Sequence, residues 1–175
     1  FERLDVSPLV RLRPQPLREP KFVCDVHLGR LARDLRTLGF DTVYERELDD
    51  DAIVAIARRE RRIVLTRDRG ILSRKAVTHG YFVRSTVAGE QPIEVVRALQ
   101  LEGRVAPFTR CRECNGTLEP VDRSTVVDAV PERIAARHDD FRRCARCGRV
   151  YWHGSHVDRL RERLAPLLDD DSARI

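Results

Sequence analysis

Two C-x2-C pairs constrain this 175-residue chain more than any other feature. Cys111-Arg112-Glu113-Cys114 and Cys144-Ala145-Arg146-Cys147 stand either side of residues 115–143. Each pair can form a tight turn that aims both thiolates at one ion, and two such knuckles complete a tetrahedral Zn²⁺ site. Gly116 and Gly148 follow closely, where a knuckle often needs positive φ. Residues 104–150 hold too few large apolar side chains to fold alone, so metal binding has to supply folding energy. With four protein ligands no position is left for water, so the zinc is expected to be structural and not catalytic. A redox role for either C-x-x-C is the alternative, and two pairs in one small module argue against it. Cys24 lies alone in an apolar run and reads as a small core residue. An odd cysteine count without a secretory signal argues for a reducing cytoplasm over a disulfide framework.

Ahead of the cysteines the hydrophobic period alternates. KFVC (21–24), FDTVYE (40–45), RIVLT (62–66) and YFVR (81–84) read as strands. Between them lie helical patterns: Leu28, Leu31, Ala32, Leu35 and Leu38 on one face, then DDDAIVAIARRER (49–61), then a short helix in ILSRKAVTHG. PIEVVRALQL (92–101) follows as another helix, with Pro92 in its first turn. Gly39 sits where the first helix needs a C-cap. Acids open the 49–61 helix and arginines close it, as the helix dipole favours. Strand–helix repetition with short links predicts an α/β fold with a doubly wound, mostly parallel sheet over 21–103. A small four-cysteine zinc ribbon over 104–168 follows it. Its closing helix starts near His156, and residues 169–175 read as a frayed tail. Residues 1–20 carry four prolines and read as a linker or the end of an upstream domain. The chain starts at Phe1 and contains no methionine, which points to a fragment.

No run of 18 apolar residues exists, which excludes a membrane-spanning helix. The formal charge is +5, and all basic residues except Lys21 and Lys75 are arginine. Arginine is the better bidentate phosphate ligand, so nucleic acid is a natural partner. Codon usage in a GC-rich genome would produce the same excess, so charge permits nucleic acid without establishing it.

In a doubly wound sheet, ligands bind outside the carboxyl ends of the strands. Asp25 ends the first strand, Asp68 follows the third, and Asp49, Asp50 and Asp51 open the second helix, whose start lies at the same edge. Carboxylates gathered there repel one another unless a cation sits among them. Mg²⁺ or Mn²⁺ suits such hard oxygen ligands and can activate water for phosphodiester cleavage. Arg67, Arg69, Arg74, Lys75 and Arg84 surround this edge as candidate phosphate ligands. Arg142, Arg143, Arg146 and Arg149 flank the second knuckle and could grip RNA, or serve only to screen the thiolate charge. Any single acid at a strand end serves equally well as a turn former or helix cap. His27 reads as a cap of the first helix, and Tyr151 and Trp152 as packing of the ribbon.

KFVCDVHLGRLARDLRTLGFDT, RIVLTRDRGIL, GYFVR, PFTRCRECNGTL and FRRCARCGRVYWHGSH resemble, in order and wording, the Mut-seven C-terminal RNase family across about residues 21–158. The resemblance implies a PIN-like nuclease fold with a zinc ribbon and a metal-dependent ribonuclease whose acids correspond to Asp25, Asp50 (or Asp49) and Asp68. It also implies that FERLDVSPLVRLRP closes an upstream ubiquitin-like domain. The pattern departs from the usual four acids of PIN nucleases, since only three are clear, with Asp34 and Glu45 the nearest fourths. Two function classes follow: an endoribonuclease, or a non-catalytic module that binds RNA (tRNA, mRNA or the ribosome) through its arginines and ribbon.

Overall fold

Residues 21–24 are apolar after Lys21, and they form a strand buried on both faces. The computed structural model describes residues 19–152 together with Glu162 and Ala165. The linker expected over most of 1–20, the helix expected from His156 and the tail at 169–175 lie outside the described residues, apart from those few positions.

The first sheet contains β1 (Lys21–Cys24), β2 (Asp41–Val43), β3 (Ile63–Thr66) and β4 (Gly80–Phe82), in the order β2-β1-β3-β4 with every pairing parallel. The central strands β1 and β3 are almost wholly inaccessible, which is why both read as unbroken apolar runs. The strands are joined by α1 (Gly29–Thr37), α2 (Asp50–Glu60) and α3 (Arg69–Ser73), and α4 (Gln91–Ala98) follows β4. Alternate strand residues point to opposite faces. Phe22, Cys24, Ile63 and Leu65 therefore pack against α1 and α4, with Leu31, Leu35, Val95 and Val96 among the residues they meet. Val23 and Val64 meet Ile53, Val54 and Ala57 of α2 and Ile71 of α3 on the other face. Helices on both faces make the sheet doubly wound, as the alternating period predicts.

Two local signals act as expected. Gly39 ends α1 at φ +94°, and a Cβ there would lie 2.2 Å from the Ala106 carbonyl oxygen. Asp49 caps α2 by accepting a hydrogen bond from the Ala52 amide at 2.8 Å. His27 differs from its expected role: it lies exposed in a 3₁₀ turn, Val26–Leu28, that has no side-chain cap.

The second sheet is antiparallel, with order β5 (Leu118–Val121), β6 (Phe141–Cys144) and β7 (Val150–Trp152). The short α5 (Glu132–Ala135) lies between β5 and β6, and Val126, Val130 and Ala135 pack with Phe141 and Trp152 into a small separate core. Trp152 thus serves packing, as its sequence context suggests. Cys24 is fully buried, and burial pushes its thiol pKa up, in keeping with a core role.

Candidate functional site

The four paired cysteines converge. Their sulfurs all lie within 4.8 Å of one another, with Cys111–Cys147 at 3.7 Å and Cys114–Cys144 at 3.4 Å. Tetrahedral zinc with bonds of about 2.3 Å places its sulfurs roughly 3.8 Å apart, so the cluster has the size of a Zn²⁺ thiolate site. Backbone amides turn toward the sulfurs: Cys114 N–H points at Cys111 Sγ, and the Arg146 and Cys147 amides at Cys144 Sγ. Such donors favour thiolate over thiol. Burial opposes the ionisation of Cys111, but the Tyr151 hydroxyl and the amides of Cys114 and Glu113 outweigh it and hold this thiol down to about 7. Burial pushes the Cys114 thiol the other way, and the neighbouring sulfurs of Cys144, Cys147 and Cys111 add to the rise. The residues fit a zinc ion in number, softness and spacing.

The two knuckles solve the same backbone problem differently. Gly148 takes positive φ (+73°) in the second. In the first, Asn115 adopts it (φ +65°) and Gly116 does not, which corrects the expectation placed on Gly116. Asparagine is one of the few side chains that tolerate this region. Gly116 is needed for space instead, because a Cβ there would approach both Cys144 Sγ and Arg146 Cβ at 2.8 Å.

The first knuckle is also fastened to the parallel sheet. Arg36 of α1, 4% exposed, donates from Nε to the Thr42 carbonyl at 2.9 Å and from Nη1 to the carbonyls of Arg112 and Glu113 at 3.2 and 2.7 Å. Burial holds its pKa below the ordinary arginine value, against the raising pull of nearby Cys24, Cys111 and Cys114. Asn115 Oδ1 accepts from the Thr42 amide at 3.0 Å, and its Nδ2 donates to Asp41 Oδ1 at 2.8 Å. The same carboxylate pairs with Arg62 at 2.6 Å and with Arg110 at 3.6 Å. Burial raises the Asp41 pKa, yet these partners more than offset it and hold the carboxyl below its usual range. None of Arg36, Asp41 or Asn115 was legible as a site residue from sequence, because their partners lie far along the chain.

The acids occupy the opposite, carboxyl end. The chain leaves β1 outward to β2 and returns across it to β3, so the topological switch point lies between the ends of β1 and β3. Asp25 sits there, 5% exposed. It makes no cap bond to the turn that follows. Its Oδ2 instead accepts from the Thr66 hydroxyl at 2.8 Å, and that hydroxyl oxygen accepts from the Asp68 amide at 2.8 Å. Thr66, wholly buried, thus ties the two acid-bearing segments together, and the sequence offered only its place before Arg67-Asp68 as a signal. Among the described residues Asp25 has no ion-pair partner. Tyr44 supports the turn from behind, donating to the Val26 carbonyl at 3.1 Å and packing over Gly29, where a Cβ would meet its ring at 2.6 Å.

The other acids at this end have protein partners. Asp68 Oδ1 accepts from the Gly70 amide at 2.7 Å, and Asp50 lies 3.6 Å from Arg74, which also pairs closely with Asp51. Among the described residues, the four cysteines are the one set of three or more metal-ligating side chains with donor atoms within 4.8 Å. Asp25, Asp50 and Asp68 therefore share an edge without converging on one point.

The expected phosphate ligands divide in the same way. Arg67 is turned onto its own chain, donating to the carbonyls of Val83, Arg84 and Ser85. Arg142, Arg143 and Arg146 donate to the carbonyls of Phe108, Thr125 and Cys114. Arg69, Lys75, Arg84 and Arg149 are exposed.

The class defined by these features is a doubly wound α/β protein carrying an antiparallel four-cysteine metal module, with a buried carboxylate at its switch point. The Mut7-C RNAse domain profile matches residues 20–164, and the chain belongs to that family. A search of the curated proteins and one of the solved structures each returned no match. Membership makes RNA the class of substrate, and no helix among the described residues is long and apolar enough to cross a membrane.

Proposed function

We propose that the chain is a metal-dependent endoribonuclease, with Asp25 as the principal ligand of a catalytic Mg²⁺ or Mn²⁺. The observation that carries this reading is Asp25 itself: a buried carboxylate at the switch point, not a cap, with no cationic partner among the described residues. A buried anion without a counter-charge is costly, and a hard divalent cation is the partner that carboxylate oxygen suits. Asp68 and Asp50 supply further oxygen donors from the same edge, with Asp49 acting as the helix cap. Arg74 holds Asp50 and Asp51 until metal or phosphate competes for them. Such an ion supplies activated water and charge stabilisation for phosphodiester hydrolysis. Thr66 orients Asp25 and anchors the Asp68 segment, while Lys75 and Arg84 bind phosphate outside the edge. The four cysteines hold structural zinc. The 21–103 and 104–168 division and a cytoplasmic location remain part of this reading.

The experiment is Mn²⁺-dependent cleavage of a structured RNA by the purified protein, compared with Asp25→Asn and Asp68→Asn. Products with 5′-phosphate and 3′-hydroxyl ends, lost in both variants, support the reading; equal cutting by all three proteins overturns it. One observation favours a second reading, a non-catalytic RNA-binding module: Asp50 and Asp68 are already engaged by Arg74 and the Gly70 amide. It predicts salt-sensitive RNA binding that survives loss of the acids.

A further inference from the structure

Phe82 has no place in the core. It ends β4 half-buried and belongs to neither apolar cluster of the parallel sheet, although its neighbours Tyr81 and Val83 both pack into one. Its ring instead carries the guanidinium of Arg69, whose Cζ lies 5.4 Å from the ring centroid. Arg69 is the first residue of α3 and directly follows Asp68.

Register fixes where this pair stands. Thr66 is the sheet partner of Phe82, and Cys24 is the partner of Leu65, so Asp25 falls level with Thr66. Partners on neighbouring strands share a face. Val64, two residues before Thr66, packs under α2 and α3, which places Thr66 and Phe82 on that face too. Asp25, Thr66 and Phe82 thus form one row across the carboxyl end. Two strand spacings of about 4.8 Å put the Phe82 backbone roughly 10 Å from that of Asp25.

We infer that Arg69 and Phe82 form a stacking platform for one unpaired base of the RNA next to the phosphate bound at Asp25. The inference rests on the ribonuclease reading for what lies at Asp25, and on the Arg69–Phe82 geometry for the platform. RNA-binding proteins hold unstacked bases on aromatic rings and on arginine planes. Here the ring fixes the cation, so the guanidinium is pre-organised and loses less freedom when a base stacks on it. The arrangement reads a base by its flat face, so the platform requires a single-stranded nucleotide and tolerates any base.

The test uses the full zinc-loaded chain carrying Asp25→Asn, so that RNA stays intact. Its affinity is measured by fluorescence anisotropy for a short single-stranded RNA and for an abasic ribose-phosphate oligomer of equal length. Phe82→Leu and Arg69→Lys are each expected to weaken binding of the base-bearing RNA roughly tenfold, the scale of one lost base stack, and to leave the abasic oligomer unchanged. Phe82→Tyr, which keeps the ring, is expected to bind as the parent does. Melting midpoints equal to the parent's show that any loss is not unfolding. Unchanged affinity in Phe82→Leu, equal losses on both oligomers, or full rescue by the lysine would each overturn the platform. Cleavage by the chain with Asp25 intact is scored separately. A Phe82- and Arg69-dependent preference for the base-bearing over the abasic oligomer without cutting removes the nuclease reading and keeps the platform, whereas cutting without that preference does the reverse.

Discussion

Thr66 concentrates the carboxyl edge of the parallel sheet in one hydroxyl, which donates to Asp25 and accepts from the Asp68 amide. Thr66→Val keeps the shape and removes both bonds. Leaving a buried carboxylate and a backbone N–H without partners costs about 1–3 kcal/mol, which urea melts would read. If Asp25 is the metal ligand, its misplacement lowers cleavage on the order of 10²-fold. Thr66→Ser restores the hydroxyl and is expected to recover most of the activity, whereas a purely packing role would leave serine no better than valine. At the metal centre the sensitive residue is Gly116. An added Cβ has to displace Cys144 Sγ or the Arg146 stem, each 2.8 Å away. Gly116→Ala is therefore expected to release zinc to a competing chelator at lower chelator concentration than the parent. Unchanged zinc retention would show that the knuckle relaxes around the methyl.

At the scale of elements, the first knuckle acts as the outer neighbour of β2. An edge strand offers unpaired backbone groups; here the Thr42 amide donates to Asn115 and the Thr42 carbonyl accepts from Arg36. Arg36→Met would leave the carbonyls of Thr42, Arg112 and Glu113 without this donor, at about 1–3 kcal/mol for each one not reached by water. The predicted outcome is lower stability of the parallel sheet and weaker zinc binding together, measured by melting and by chelator competition. A loss confined to one of the two would show that the elements are not coupled. This fastening was not readable from the chain, because Arg36 and Asn115 look like any surface arginine and turn asparagine. Their roles depend on partners more than seventy residues away in sequence. The elements of the parallel sheet were largely readable, since each strand and helix there follows from a local period, whereas β5, β6, β7 and α5 carried no such signal. The boundaries shifted by a residue or two, as in β2, where the expected 40–45 became Asp41–Val43 although Phe40 is buried in the core.

At the scale of the whole molecule, metal binding at the four cysteines and folding of the module around them are expected to form one equilibrium. The cysteine module has only a small core around Phe141, so zinc bound at its four clustered cysteines is expected to contribute the remaining folding energy. Chelating zinc is expected to abolish amide protection in β5, β6 and β7 and at Thr42, while β1 and β3 stay protected by the main cores. Hydrogen exchange with and without chelator reads this directly; protection at Thr42 in the zinc-free chain would contradict it. The positive charge is also divided. Arg67, Arg142, Arg143 and Arg146 hold the protein's own carbonyls, so neutralising them should cost stability more than RNA affinity. Neutralising Lys75 and Arg84 together, by contrast, should flatten the salt dependence of RNA binding by about 0.7 per lost phosphate contact on single strands.

The chain by itself determined the four-cysteine cluster and the alternation of strand and helix. Both are short-range: a C-x2-C spacing aims two sulfurs at one ion wherever it sits, and hydrophobic period selects an element before any packing occurs. Tertiary structure alone decided which of several similar residues lies in which environment. It left Asp25 buried with no ion-pair partner among the described residues while giving Asp49 and Asp68 cap bonds, engaged four arginines on the protein's own carbonyls, and set Phe82 beside Arg69 outside the core. Those differences are matters of burial and partner, and a carboxylate, a guanidinium or a ring acquires its burial and partners only when distant strands come into register.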